Sequence, residues 1–518
     1  MKLKLALLSA LVLSGCQMTS GERATTAPEN TAPKTETVVQ APNTKKTEKQ
    51  KPVELSPQEQ SDVWQRIAMQ MKMPVPDNKR VNYYRNWYLK HPGHLETVSE
   101  RAQPFLFLIA EEVEKRNMPL ELALLPVVES SFDQFAYSHG RAAGLWQFVP
   151  DTGRRFGLEQ NWWYDGRRDV TASTKAALDL LEYLNKKFDG NWLHALAAYN
   201  TGEGRVFRAI RANEKAGKPT DFWSLDLPKE TSGYVPKLLA LGDVVRNRVK
   251  YGLDVPAIAN KPVVTNVDPG IQMDLALAAN YADLPLRELQ SLNPGYNHWA
   301  TAPDGPTHLL LPINKVDRFK TQLAKNDNRG IKVIRYKVKS GDTLSEIASN
   351  NNTTIKVLQR ANNLKGTSIR VGKHLIVPVA LKDANQYSLS EPQRLAKTQS
   401  TRRGNYKMTH KVASGESLWS ISRKYDVSYK SLAKWNGMAP SDPLRPGQSL
   451  VVWKKAPTGG TIRKITYKIR QGDSLSVIAD KFDVSVSDLL KWNQLNRKAY
   501  IKPGQTLRLF IDVTKVSS

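Results

Sequence analysis

The chain has 518 residues, more than one ordinary core and enough for several domains. Its formal charge of +27 asks for an anionic partner: an acidic polymer, a membrane surface or nucleic acid. A single cysteine excludes a disulfide framework and every cysteine-based zinc-finger spacing, and neither basic-region heptads nor an RNP-type aromatic motif occurs, so no nucleic-acid partner is expected.

The N-terminal stretch "MKLKLALLSALVLSGCQ" places Lys2 and Lys4 before an apolar run at residues 5–13 and a small-residue end, the pattern of a secretory signal rather than a spanning helix. The lone cysteine, Cys16, stands at the cleavage point in Leu-Ser-Gly-Cys, which resembles the bacterial lipobox. That resemblance implies a signal peptide at 1–15 and lipidation of Cys16. Acyl chains add roughly 0.8 kcal/mol per buried CH₂ and so hold a chain on a membrane. Gln17 in place of Asp implies the periplasmic face of the outer membrane. Residues 16–60 are rich in Thr, Pro, Lys, Glu and Gln and bury too little apolar surface to offset ordering entropy, so a flexible lipidated spacer is expected there.

Residues 61–258 read as an all-α domain. "RAQPFLFLIAEEVEKR" carries apolar residues at helical spacing. Pro119 stands near a helix start with Asn117 as a cap, and Pro126 is expected to kink that helix or end its regular part. A further helix is predicted from a capping Asp169 to near Gly190, followed by a short one at "NWLHALAAYN".

Past residue 330 the pattern repeats. "YKVKSGDTLSEIASNNNTTIKVLQRANNL", "HKVASGESLWSISRKYDVSYKSLAKWNGM" and "YKIRQGDSLSVIADKFDVSVSDLLKWNQL" align without gaps over their first halves, and each leads to a glycine turn and an apolar run. Each predicts strand, loop, helix, helix, strand, with Thr343, Ser417 and Ser474 as helix caps. The repeats resemble LysM modules over 335–378, 409–453 and 467–510. The resemblance implies binding of N-acetylglucosamine-containing glycan through Gly341, Asp342 and Thr343, Gly415, Glu416 and Ser417, and Gly472, Asp473 and Ser474, with the Asn-x-apolar segments opposite. Linkers 380–405 and 454–464 are polar and are expected to be mobile. Residues 263–314 read as a degenerate copy. Leu275 and Leu289 keep the spacing of Leu344 and Leu358, and Asn293 falls where Asn362, Asn436 and Asn493 fall. Gln272 and Met273 replace the Gly-Asp pair, so a kept core that supports the helical domain is expected.

Four patches of the helical domain set polar or aromatic residues beside small ones: "ESSF" at Glu129, "GLWQF" at 144–148, "AAYNTGEGRV" at 197–206 and "TSGYVPK" at 231–237. In this order they resemble the lytic transglycosylase family, whose catalytic domain is lysozyme-like; "AAGLWQFVPDTGRRFGL" and "NWWYDGRRDVTAST" narrow the match to its membrane-bound members. The resemblance implies a multidomain chain, an all-α lysozyme-like catalytic domain followed by small α+β (βααβ) LysM repeats, acting on peptidoglycan. It makes Glu129 the catalytic acid, and Ser130, Gln147, Tyr199, Asn200 and Tyr234 substrate-binding residues. Trp146 departs from the Met common in soluble members. Apolar neighbours in "LLPVVESSF" raise a carboxyl pKa if the helix turns them inward, as a neutral-pH acid requires. Two-carboxylate cleavage needs a second acid, and Asp133 and Asp151 lie in no motif. The resemblance implies instead that the C6 hydroxyl of muramic acid closes on C1, giving a lyase with 1,6-anhydro products. A goose-type lysozyme-like hydrolase, which shares the lone-Glu layout, and a non-catalytic wall tether remain as alternatives. No metal-ligand spacing or phosphate-binding glycine loop occurs, and no cofactor is expected.

Overall fold

A computed structural model of the chain describes residues 55–326, 330–454, 462–496 and 500–512. Cys16, the signal stretch and most of both the expected spacer and the 454–464 linker lie outside them. Among the described residues no helix is long and apolar enough to cross a membrane. The helical part is built from α1 (Val63–Met69), α2 (Lys79–Lys90), α3 (Pro92–Ala102), α4 (Leu106–Lys115), α5 (Leu125–Ser130), α6 (Pro150–Arg155), α7 (Val170–Lys187), α8 (Trp192–Thr201), α9 (Glu203–Lys215) and α10 (Lys229–Arg246). Asp169 caps α7 by accepting from the Ala172 amide, and Asn191 caps α8 through two amides, so both helices begin where side-chain acceptors meet unpaired N–H groups.

The segment around Pro126 follows the geometry of proline. Residues Leu120–Leu124 form a 3₁₀ turn, and Pro126 sits in the first turn of α5, where a missing N–H costs nothing. Leu120, Leu122, Leu124, Leu125 and Val127 are buried, which threads α5 through the core. The domain closes on itself at Asp62, whose carboxylate accepts from the Trp64 and Ile258 amides and from Arg248. Residues ahead of the expected start of the helical domain join it: Asn260 donates to the Pro57 and Gln60 carbonyls and ties 57–60 to the core.

Among the described residues four βααβ units follow. In the first, β1 (Val264–Val267) pairs antiparallel with β2 (Leu309–Pro312) around α11 (Leu275–Ala282) and α12 (Leu286–Leu292), and α13 (Val316–Lys325) packs on α11. The second has β3 (Lys332–Lys337), α14 (Leu344–Asn350), α15 (Ile355–Ala361) and β4 (His374–Val379), with Tyr336 opposite Leu375. After α16 (Glu391–Ser400) come β5 (Tyr406–Lys411), α17 (Leu418–Lys424), α18 (Tyr429–Trp435) and β6 (Ser449–Lys454), then β7 (Ile462–Lys468), α19 (Leu475–Lys481), α20 (Val486–Asn493) and β8 (Thr506–Asp512).

The first unit is joined to the helical domain through its backbone. The Asp165 amide donates to Gly295 and the Asn297 amide to Trp163, both at 2.8 Å, and Trp162 stacks on His298 with centroids 3.4 Å apart. The loop before α11 is paired with residues 299–301 through Leu275 to Trp299 and Thr301 to Met273.

Linker 380–405 is not the mobile spacer its polar composition suggests. The Tyr387 side chain is buried and its hydroxyl donates to the Asp274 carboxylate at 2.9 Å, which also accepts from the Leu381 amide. Arg394 on α16 stacks over Phe135, and the Gln399 amide donates to Asn436. Asp442 of the third unit receives Arg141 at 2.9 Å and the Tyr137 hydroxyl at 3.0 Å, so this segment and the loop behind "ESSF" hold that unit against the helical domain. A few anchoring side chains outweigh the average composition that suggested a linker.

Candidate active site

Val128 and Glu129 emerge at the end of α5, where the buried helix reaches a cleft. Ser131 and Phe132 take positive φ, their amides bond back to the Val127 and Pro126 carbonyls, and the buried Phe132 ring anchors the turn. The chain is thereby directed away and the Glu129 carboxyl is left in the opening. The cleft holds about 430 Å³ and is lined by Glu129, Val128 and Asn200, by Tyr83, Tyr84 and Trp87 of α2, and by Glu230, Gly233, Tyr234 and Lys237 of α10.

The Tyr234 hydroxyl donates to Glu129 Oε1 at 2.5 Å. A Cβ on Gly233 would lie 2.3 Å from the Tyr84 hydroxyl, so this glycine is what lets α2 and α10 approach and brings Tyr234 into place. Lys237, one turn beyond Tyr234, donates to the Val128 carbonyl at 3.2 Å. Burial pushes the Glu129 carboxyl up to about 7, against the opposing pull of the Tyr234 hydroxyl and the Lys237 charge, and Glu230 adds to the rise. Burial raises the Tyr199 and Tyr234 phenols well above their ordinary value, with the Glu129 charge adding to both. Burial lowers Lys237, and Glu129 partly restores it.

The residues selected from sequence do not all behave alike. Glu129 and Tyr234 are bonded to each other, and Tyr199 lies near enough to feel the Glu129 charge while its hydroxyl donates to the Trp146 carbonyl at 2.8 Å. Asn200 lines the cleft, with its carbonyl oxygen accepting from Thr231. The Ser130 hydroxyl is directed to the Pro126 and Leu145 carbonyls rather than to the carboxyl beside it. The Gln147 amide donates to the Gly144 carbonyl at 2.8 Å. Trp146 is fully buried, its indole donating to Thr174. Asp133 caps the Phe135 amide and Asp151 pairs with Arg154 at the surface.

Tyr83, Tyr84, Trp87, Glu230 and Lys237 were not selected from the sequence. "YYRNW" held a usable signal, since aromatic residues four apart share a helix face. Lys237 closes the "TSGYVPK" patch itself, and Glu230 directly precedes it.

In the LysM-type loops the selected side chains are engaged by the fold. Gly341, Gly415 and Gly472 have φ of +88°, +81° and +88°, a region that favours glycine. Asp342 accepts from the Lys339 amide and the Tyr336 hydroxyl, Glu416 from the Ala413 amide with His410 bonded to the same oxygen, and Asp473 from the Arg470 amide and the Tyr467 hydroxyl. Thr343, Ser417 and Ser474 cap their helices. The asparagines expected opposite, across a sugar site, are clamps. Asn362, Asn436 and Asn493 each donate to a helix carbonyl and a strand carbonyl and accept from one strand amide. Asn293 does the same in the first unit. These contacts engage both N–H donors of each carboxamide and one lone pair of its oxygen, and the Asn436 oxygen also accepts from Gln399.

Comparison with known proteins fits this layout. The transglycosylase SLT domain matches residues 107–222, and the LysM domain matches 336–378, 410–453 and 467–510. The LysM-like domain of lytic transglycosylase MltD matches 264–328. The membrane-bound lytic murein transglycosylase D of Escherichia coli K12 is 39% identical over 405 residues, covering 76% of this chain and 86% of that protein. The chain belongs to that family. A putative tributyltin chloride resistance protein of an Alteromonas species is 46% identical over 166 residues, 32% of this chain and 78% of its own length. Among solved structures, the 70 kDa soluble lytic transglycosylase of Escherichia coli covers 36% of this chain and 33% of its own, at 18% identity and a TM-score of 0.25, too partial an overlap to add to the argument. Membership of the D-type family rests on the long relative and on the three kinds of domain found in order. The chain is thus a lytic transglycosylase with LysM peptidoglycan-binding repeats.

Proposed function

We propose that Glu129 cleaves the β-1,4 bond between N-acetylmuramic acid and N-acetylglucosamine without adding water, leaving 1,6-anhydro-muramic ends. One observation carries this reading: a carboxyl raised to about 7 in a cleft, held by a tyrosine hydroxyl at 2.5 Å. A protonated Glu129 gives its proton to the glycosidic oxygen, then, as a carboxylate, takes one from the C6 hydroxyl of the same sugar as O6 attacks C1. The nucleophile is tethered to the reacting carbon, and intramolecular attack of this kind reaches effective molarities of roughly 10⁵–10⁸ M, so no second protein carboxylate is required. Tyr199, Asn200 and Tyr234 orient the carboxyl and the acetamido group, with Ser130 and Gln147 shaping the adjoining loop. Lys237 steadies the charge that forms on Glu129.

The anchor and the repeats complete the proposal. Cys16 carries lipid and fixes the chain to the periplasmic face of the outer membrane. The repeats at 335–378, 409–453 and 467–510 hold glycan through loop backbone groups at Gly341, Gly415 and Gly472 and their neighbours. The 263–314 unit supports the helical domain rather than binding sugar, its entry loop being paired with 299–301.

One observation favours a second reading. Glu230 is an exposed carboxylate in the same cleft, where a hydrolase would keep a base for water. Digestion of sacculi in heavy-oxygen water, read by mass spectrometry, separates the two. The proposal expects anhydro ends without label from both the native chain and Glu230→Gln. Labelled reducing ends, lost in Glu230→Gln, would establish the hydrolase.

A further inference from the structure

We propose that α2 forms a glycan subsite beside Glu129, with Tyr83, Tyr84 and Trp87 offering ring surfaces to a sugar of the strand being cut. The inference rests on the transglycosylase reading and assigns a role to a helix N-terminal to the residues matched by the SLT domain. Asn78 caps α2 by accepting from the Arg80 amide at 2.9 Å, and Val81 and Tyr88 are buried on its inner side. That orientation places Tyr83 and Trp87, four residues apart, toward the cleft. Tyr83 is 66% exposed and lines the cleft, so its ring is open to a ligand there.

The wall is held in place. The Tyr84 hydroxyl abuts Gly233, the residue before Tyr234. Arg85 bonds Asp243 of α10 at 2.5 Å, and Arg80 donates to the Trp223 carbonyl at 3.1 Å. The rings also brace each other. Tyr83 meets Tyr84 edge to face at 5.1 Å, and Trp87 stacks on His91 at 4.5 Å with His94 against its edge at 5.2 Å. A rigid aromatic surface tied to the helix that carries Tyr234 loses little entropy on binding. A β-linked pyranose has a face of C–H groups that can lie on such rings, and covering that apolar area is favourable. The wall is continuous with Glu129, so its occupant is a neighbouring sugar of the substrate itself.

The test uses the full chain and soluble, peptide-free glycan strands. Tyr83→Ala is expected to raise KM about five- to tenfold, the size of one aromatic contact, with kcat, melting temperature and the pH profile of kcat unchanged. Tyr83→Phe is expected to restore KM, since it keeps the ring. An unchanged KM for Tyr83→Ala overturns the subsite, as does a KM change confined to strands bearing peptide stems. If the native chain itself made no anhydro ends, the functional reading would fail. Anhydro ends with an indifferent Tyr83 would remove the subsite alone.

Discussion

In the helical cleft the Glu129 carboxyl is bonded to the Tyr234 hydroxyl and opens onto space that α2 and α10 enclose. In the loop of the third LysM repeat the Asp473 carboxylate meets a backbone amide at 2.7 Å and a phenol at 2.8 Å, and both bonds serve the loop. The acids respond in opposite directions. Burial drives Glu129 up to about 7, whereas the Arg470 amide and the Tyr467 hydroxyl lower Asp473. For Glu416 burial acts upward, and the Ala413 amide and His410 outweigh it. Similar motifs, an acid among small and polar residues, thus serve opposite ends: one acid is kept short of partners so that its proton can move, and the others are saturated so that a turn holds.

The largest effect that tests this contrast is at Glu129. Glu129→Gln is expected to lower turnover by about 10²–10⁴-fold, the range for loss of a general acid. It should also separate activity from stability. The folded pKa is above the unfolded one, so the folded chain binds the proton more tightly and stability is lost as pH rises from about 4.5 through about 7. A glutamine removes that titration. The variant should therefore gain melting temperature relative to the native chain at pH 8, and gain less at pH 5, while native activity falls as pH climbs past about 7. A variant that melts lower at pH 8 would mean that Glu129 is another acid saturated for stability.

The next effect lies in the repeats. Asn436 is 1% exposed, and Asn436→Ala strands two carbonyls and the Val451 amide of β6. Unmet buried groups cost about 1–3 kcal/mol each before relaxation, so a loss of about 2–4 kcal/mol is expected in that unit. Hydrogen exchange at β6 reports it directly. Asn362 and Asn493 make the same bonds in more open surroundings, and their alanine variants should lose less.

These two sites also mark what the sequence made legible. Helical periodicity, the cap at Asp169 and the recurring strand and helix pattern announced the fold, because local chemistry decides each of them. The meeting of Glu129 with Tyr234 was within reach because each lies in a patch of its own. The α2 wall was not, since its contribution depends on Gly233 admitting Tyr84, a contact between residues 149 positions apart. The 380–405 segment misled for a related reason: Tyr387 meets Asp274 across 113 positions of the chain. The Asn-x-apolar segments were placed opposite the sugar loops, and a sequence shows a side chain's donors without showing the strand that engages them.

The smallest effect tests the contrast most sharply. In Asp342→Asn the new carboxamide oxygen still accepts from the Lys339 amide and the Tyr336 hydroxyl. Only the charge is lost, from an exposed loop where solvent weakens it, so stability should change by less than about 1 kcal/mol. If the carboxylate serves the turn alone, affinity for chitooligosaccharide in a calorimetric titration of the full chain should also stay within about twofold, well below the tenfold that 1.4 kcal/mol represents. A tenfold loss of affinity at an unchanged melting temperature would place that oxygen on the sugar. The loop acid would then be doing what Glu129 does, spending part of its bonding capacity on a substrate, and the two regions would differ in degree rather than in kind.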